Sequence, residues 1–130
     1  MDEIDWKIVQ SLRSNSRMSN SELGRRLSLS EGAIRKRIKT LMENGTIRKF
    51  TIISQNDGVE AIVFVRIDPK RNAYLKESFS RKFDEIYEFA GRFDIALRLR
   101  CRSIDELNRQ VDDLREMEGV RSTDTLIRMS

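Results

Sequence analysis

From Glu3 to Asn44 the apolar residues recur at helical spacing, and from Val59 onward they fall into strand-length runs broken by two further helical stretches. One such change of period predicts an α+β chain in two parts, the first all-helical and the second mixed. Between them, Ser54-Gln55-Asn56-Asp57-Gly58 carries no apolar side chain and reads as a break. The expected domains are 1–53 and 59–130. A unit of about 50 residues buries little core of its own, so each part is expected to lean on the other or on a second copy of the chain.

Three helices are predicted in the first part. The first covers Glu3–Ser14, with Ile4, Ile8, Val9 and Leu12 on one stripe. The second is capped by Ser19, with Glu22 placed to reach back in a capping box. It carries Leu23 and Leu27 and ends at Ser28-Leu29. The third is capped by Ser30, turns Ile34, Ile38, Leu41 and Met42 inward, and stops at Gly45. Ile47, Phe50, Ile52 and Ile53 then read as a hinge strand.

The second part reads βαββαβ, the split-βαβ or ferredoxin-like order. Val59–Asp68 is a strand stopped by Pro69. Residues 71–84 form a helix with Leu75, Phe79 and Phe83 four apart. Glu85–Ala90 is a short strand ended by Gly91. Phe93–Cys101 alternates, with Phe93, Ile95, Leu97, Leu99 and Cys101 on one face and Asp94, Arg98 and Arg100 on the other. Ser103 and Glu106 form a second expected capping box, opening a helix that carries Ile104, Leu107, Val111 and Leu114. Val120–Met129 is the last strand.

Charge is spread unevenly. The net charge is +4, but residues 1–50 hold eleven Lys/Arg against six Asp/Glu, while residues 51–130 hold fourteen against fifteen. Positive charge gathered in the helical part points to a polyanionic partner. The sequence contains no histidine and one cysteine. That removes the commonest general base and metal ligand and argues against a zinc site. No cofactor is expected. The lone Cys101 has no internal disulfide partner, no apolar run has the length of a membrane span, and Asp2, Glu3 and Asp5 open the chain; a cytoplasmic protein is the expectation.

Helices two and three, joined by Ser28-Leu29, have the proportions of a helix-turn-helix, whose second helix enters the major groove of duplex DNA. With Ile34, Ile38 and Leu41 inward, Glu31, Gly32, Arg35, Lys36 and Lys39 point outward. Arg35, Lys36 and Lys39 are candidates for guanine edges or phosphates. Arg25 and Arg26 on the preceding helix are candidates for phosphates, as are Ser19, Asn20, Ser28 and Ser30 near helix starts. Ser19 and Ser30 serve first as caps, and Arg37 reads as structural.

Taken together, Asp2-Glu3-Ile4-Asp5-Trp6-Lys7-Ile8-Val9, Asn15-Ser16-Arg17-Met18-Ser19, Glu22-Leu23-Gly24 and Leu29-Ser30-Glu31-Gly32-Ala33-Ile34-Arg35-Lys36-Arg37-Ile38 resemble the helix-turn-helix of the Lrp/AsnC regulators, particularly short archaeal members. The second half resembles the family's effector-binding and oligomerisation domain, through Gly91-Arg92-Phe93-Asp94 and through Val120, Thr123 and Thr125 in the last strand. The resemblance implies a regulator of transcription that binds double-stranded DNA as a homodimer formed by paired sheets, often as a tetramer of dimers. It also implies a small amino-acid effector near the glycine turn, with Gly91, Asp94, Thr123 and Thr125 as candidate contacts. Ala90 stands where many members carry a hydroxyl. Two other readings share the fold: a siroheme-decarboxylase-like enzyme, disfavoured because such enzymes use histidines, and a ligand-sensing or assembly module without DNA binding. Carboxylates such as Asp94 and Glu88 could in principle act as acid and base, but no second motif supports an enzymatic reading.

Overall fold

The computed structural model describes residues 1–55 and 57–129. The chain divides into two compact units, Met1–Ser54 and Gln55–Ser130.

The first unit holds α1 (Glu3–Ser14), α2 (Asn20–Leu27) and α3 (Glu31–Glu43). The complete capping box lies at α1: Asp2 accepts from the Asp5 amide at 2.8 Å, and Asp5 accepts from the Asp2 amide at 3.4 Å. Ser19 caps α2 by accepting from the Glu22 amide at 3.1 Å. The expected return bond is not made, because the Glu22 carboxylate is drawn to Arg25 and Arg26. Ser28 ends α2 in the left-handed region, at φ 58°, and its amide donates to the Gly24 carbonyl. This reversal brings the Leu29 carbonyl so close to Gly24 that a Cβ there would sit 2.4 Å from the oxygen. Glycine is required at that crossing.

Ile8, Val9, Leu12, Leu23, Ile34 and Leu41 form the buried core of this unit, ringed by Ile4, Met18, Leu27, Leu29, Ile38 and Ile47. Met42 does not join it and is 41% exposed. At 100° per residue it lies about 80° round the helix from Ile34, past the edge of the buried stripe. The hinge strand expected over 47–53 is also absent from the described structure. Ile47 is held by its amide donating to the Leu41 carbonyl at 2.9 Å. Beyond it Phe50, Ile52 and Ile53 run unladdered, with Ile53 fully exposed. An extended segment becomes a strand only when another strand takes its backbone hydrogen bonds, and among the described residues none pairs with this one.

The second unit runs β1 (Val59–Ile67), a 3₁₀ turn (Pro69–Arg71), α4 (Asn72–Lys82), β2 (Glu85–Glu88), β3 (Ile95–Cys101), α5 (Ile104–Glu116) and β4 (Val120–Ile127). The four strands form one antiparallel sheet in the order β2-β3-β1-β4. This is the expected βαββαβ arrangement. Successive strand residues face opposite sides, so Ala61, Val63, Val65 and Ile67 of β1 join Ile95, Leu97, Leu99 and Cys101 of β3 beneath the helices. Leu75 and Phe79 of α4 and Leu107, Val111 and Leu114 of α5 close that core.

Several details differ from expectation: β4 ends at Ile127 rather than Met129, and Ile104, at the first turn of α5, is 46% exposed and outside the core. β2 stops at Glu88 rather than Ala90. Ser103 caps α5, but Glu106 accepts from the Arg102 amide at 2.6 Å instead of returning to Ser103. Phe93 lies outside β3, and its ring packs on Phe64 with centroids 5.3 Å apart. Phe64 points away from the helices, so Phe93 belongs to the outer face of the sheet. The alternation of β3 does not extend back through the turn.

Candidate functional site

In the first unit the loop Ser28–Ser30 sets α3 across α2, and Ser21 Oγ donates to Glu31 Oε2 at 3.3 Å between the two helices. Arg37 ties α3 to the start of α1: its Nη1 donates to Asp2 at 2.7 Å and to Asp5 at 3.1 Å. The bond from Arg37, followed by that from the Asp5 amide, holds the Asp2 carboxyl below its ordinary range. Arg37 is therefore a strut that fixes α3 relative to α1.

Ser19, Arg25, Arg26, Ser28, Ser30, Glu31, Gly32, Arg35, Lys36 and Lys39 are all exposed, while Asn20 is half-buried. Ser30 Oγ accepts from the Ala33 amide at 3.1 Å, so its first task is capping. Most of the cations already have carboxylate neighbours. Arg25 and Arg26 share Glu22, Arg35 pairs with Glu31, and Lys39 lies 3.9 Å from Glu43. Exposed pairs of this kind contribute about 0–1 kcal/mol, so phosphate can displace them at little cost. Lys36 has no carboxylate partner among the described residues. At Gly32 a Cβ would meet nothing within 4 Å, which leaves the backbone of the first turn bare toward solvent. Small and cationic residues on the exposed side of a capped helix suit entry into a groove lined by phosphates.

The second unit presents its outer sheet face. Register and alternation place Ile62 and Phe64 of β1, Tyr87 of β2 and Leu126 of β4 on that side. Around Glu60, at the head of β1, lies an ion cluster that sequence reading missed. Glu60 Oε1 accepts from Arg98 Nε at 2.9 Å and from Arg100 Nε at 3.3 Å, while its Oε2 accepts from Arg128 Nη1 at 2.8 Å. The bonds from Arg128 and then Arg98 hold the Glu60 carboxyl below its ordinary value. Glu85 completes the cluster against Arg98 and Arg100 at 3.3 Å. Burial pushes its carboxyl up, but the two guanidiniums outweigh burial and hold it down.

At the other end of this face a cavity of about 480 Å³ is bordered by Gly91, Arg92, Phe93, Arg66, Ser122, Asp124 and Thr123. Of the four residues singled out for an effector, Gly91 and Thr123 border it. Asp94 and Thr125 are not among its lining. The Asp94 carboxylate accepts from the Ile67 amide at 2.8 Å, and the Asp94 amide donates to the Val65 carbonyl at 3.0 Å. Thr125 sits opposite Val63 on the helix side, with its hydroxyl buried and without a hydrogen-bond partner among the described residues. Thr123 likewise pairs with Val65, and its Oγ1 accepts from Arg115 Nε at 2.9 Å. Arg66, Arg92, Ser122 and Asp124 were not anticipated. The available signal was their parity with Ile62 and Phe64 along β1 and β4.

Comparison with known proteins follows the division of the chain. Residues 1–48 match a winged helix-turn-helix DNA-binding family, and residues 60–130 match the Lrp/AsnC ligand binding domain. The chain belongs to the Lrp/AsnC family. The transcriptional regulator LysM of Sulfurisphaera tokodaii is 35% identical, over 98% of this chain and 94% of its own length. The transcriptional regulator FL11 of Pyrococcus furiosus is 31% identical, over 98% and 88%. The solved complex of the Neisseria meningitidis regulator NMB0573 with L-Met superposes with a TM-score of 0.76 at 25% identity, covering all of this chain and 90% of that one. The Lrp/AsnC chain described here is thus a helix-turn-helix DNA-binding regulator of transcription. Among the described residues no helix is long and apolar enough to cross a membrane.

Proposed function

We propose that this regulator reads a specific duplex with α3, works as a dimer joined through the outer sheet faces, and is tuned by a small amino acid held at the cavity beside Gly91. The single observation that supports the DNA-reading role best is the exposed side of α3, where Gly32, Arg35, Lys36 and Lys39 lie together on a helix fixed from behind by Arg37. In this reading Arg35 and Lys36 contact bases or phosphates, and Arg25 and Arg26 of α2 contact the backbone.

The dimer is supported by exposed apolar side chains on the outer face. Ile62, Tyr87 and Leu126 remain solvent-accessible in the single chain, and such patches on a monomer mark interaction sites. Phe50, Ile52 and Ile53 add an apolar, unpaired segment, which a second copy can satisfy by strand pairing. Pairing also doubles the site read, with half-sites about one helical turn apart. The amino-acid role is supported by the ligand-binding family of the second unit and by the cavity itself.

The test is selection of binding sequences from a random duplex pool by the purified protein, with and without pooled amino acids, and with light scattering of the same samples. The reading expects enriched sequences with two-fold symmetry, a dimer or larger, and a shift of affinity or size with an amino acid. A monomer that enriches no sequence would overturn it.

A further inference from the structure

The cavity beside Gly91 carries an unbalanced set of charges, and this imbalance specifies a ligand class. Arg66 of β1 and Arg92 of the turn both border it, and neither has a carboxylate partner among the described residues. Asp124 of β4 borders it too and is likewise without a cation. Two guanidiniums against one carboxylate leave the cavity one positive charge in excess. The Phe93 ring, fixed on Phe64, forms a wall, Ser122 supplies a hydroxyl, and the open space over Gly91 lets a ligand reach the backbone. Elsewhere on the same face the guanidiniums of Arg98, Arg100 and Arg128 each sit in an ion pair with Glu60 or Glu85. Arg66 and Arg92 are not matched in this way.

We infer that the cavity selects an acidic amino acid, one bearing a second carboxylate, over neutral and basic ones. A guanidinium is a planar fork suited to a carboxylate. The two carboxylates of glutamate or aspartate have one guanidinium each, and the ammonium has Asp124. Such a ligand carries a net charge of about −1 at neutral pH, which balances the cavity. A lysine brings a second cation toward Arg66 and Arg92, and a methionine leaves one of them without an anion. The inference rests on the reading of this cavity as the effector site.

Asp94 enters as a positioning residue. Its amide holds Val65 and its carboxylate holds Ile67, so it brackets Arg66 from both sides. The register with β4 shifts between Arg66 and Ile67, and irregularities of this kind re-aim a side chain.

The experiment is calorimetric titration of the full chain with all twenty amino acids and with glutarate, repeated on Arg66→Gln and Arg92→Gln. Both arginines are exposed, and thermal melts of the variants verify folding. The expected result is that glutamate or aspartate binds tightest and that each substitution weakens that binding about tenfold to a hundredfold, the range of a charge-assisted hydrogen bond. Glutarate, which lacks the ammonium, binds more weakly than glutamate. If glutamine, lysine or methionine binds better than its acidic counterparts, or if the substitutions leave affinity unchanged, the acidic class is overturned while the effector reading stands. If no amino acid binds at millimolar concentration, both fall.

Discussion

Asp94 uses its side chain as the next rung of the sheet: Oδ2 accepts from the Ile67 amide at 2.8 Å, one residue before the start of β3. A residue that the family resemblance made a candidate effector contact is thereby committed to the backbone of β1. The two roles separate by substitution. Asn keeps an oxygen that accepts from the Ile67 amide, whereas a direct ammonium contact needs the charge. Asp94→Asn is expected to keep stability and effector binding near the parent. Asp94→Ala leaves a part-buried amide unsatisfied, costs about 1–3 kcal/mol, and weakens binding at the cavity. Chemical denaturation and calorimetry on both variants check this, and equal loss in the two would return Asp94 to the role of a ligand.

Gly24→Ala tests the crossing inside the helix-turn-helix. The added methyl would lie 2.4 Å from the Leu29 carbonyl oxygen and 3.4 Å from the carbonyl carbons of Leu29 and Ser30, all backbone atoms that α3 depends on. Overpacking of this kind costs about 1–3 kcal/mol or more. DNA binding should be lost together with part of the helical signal, while the sheet unit keeps its own transition. Wild-type melting and DNA affinity would contradict the packing described.

Replacing Arg35 and Lys36 with Ala removes two outward cations without touching the core. Loss of a base-contacting arginine costs about 1–3 kcal/mol of discrimination, and each lost phosphate contact lowers the salt slope by about one. Specific binding should therefore disappear while the melting curve stays in place. A gel-shift series across salt concentrations reads both, and retained operator affinity would remove α3 from the groove.

The Glu60 cluster predicts a pH dependence of stability. Arg128 and Arg98 depress the Glu60 carboxyl below its ordinary value of 4.5. The folded state then binds the proton less tightly than the unfolded state. The stabilisation is fully present above the ordinary value and is lost as pH falls through the depressed one. In Glu60→Gln it is absent at every pH. The variant should melt several degrees below the parent at pH 7, and the gap should close in acid. A constant gap between pH 7 and pH 3 would show that the carboxylate charge contributes nothing.

The sequence by itself determined the helices and the order of elements. The bounds of α1, the caps at Ser19, Ser30 and Ser103, and the inward stripe Ile8, Leu12, Leu23, Ile34 and Leu41 depend on residues within about four positions of one another, as helical hydrogen bonds and side-chain spacing do. The exposed cations of α3 follow from the same spacing. What only the tertiary structure decided are the relations between distant strands. Asp94 finds Ile67 across 27 residues, and Arg98 finds Glu60 across 38. Phe93 lies on the outer face because β3 begins after it, and Thr125 faces the helices because it pairs with Val63. The segment at Ile52 and Ile53 has the composition of a strand and remains unpaired. Composition offers a strand its side chains, but partner and register come from hydrogen bonds between segments far apart in the chain, and a shift of one residue sends every side chain to the opposite face.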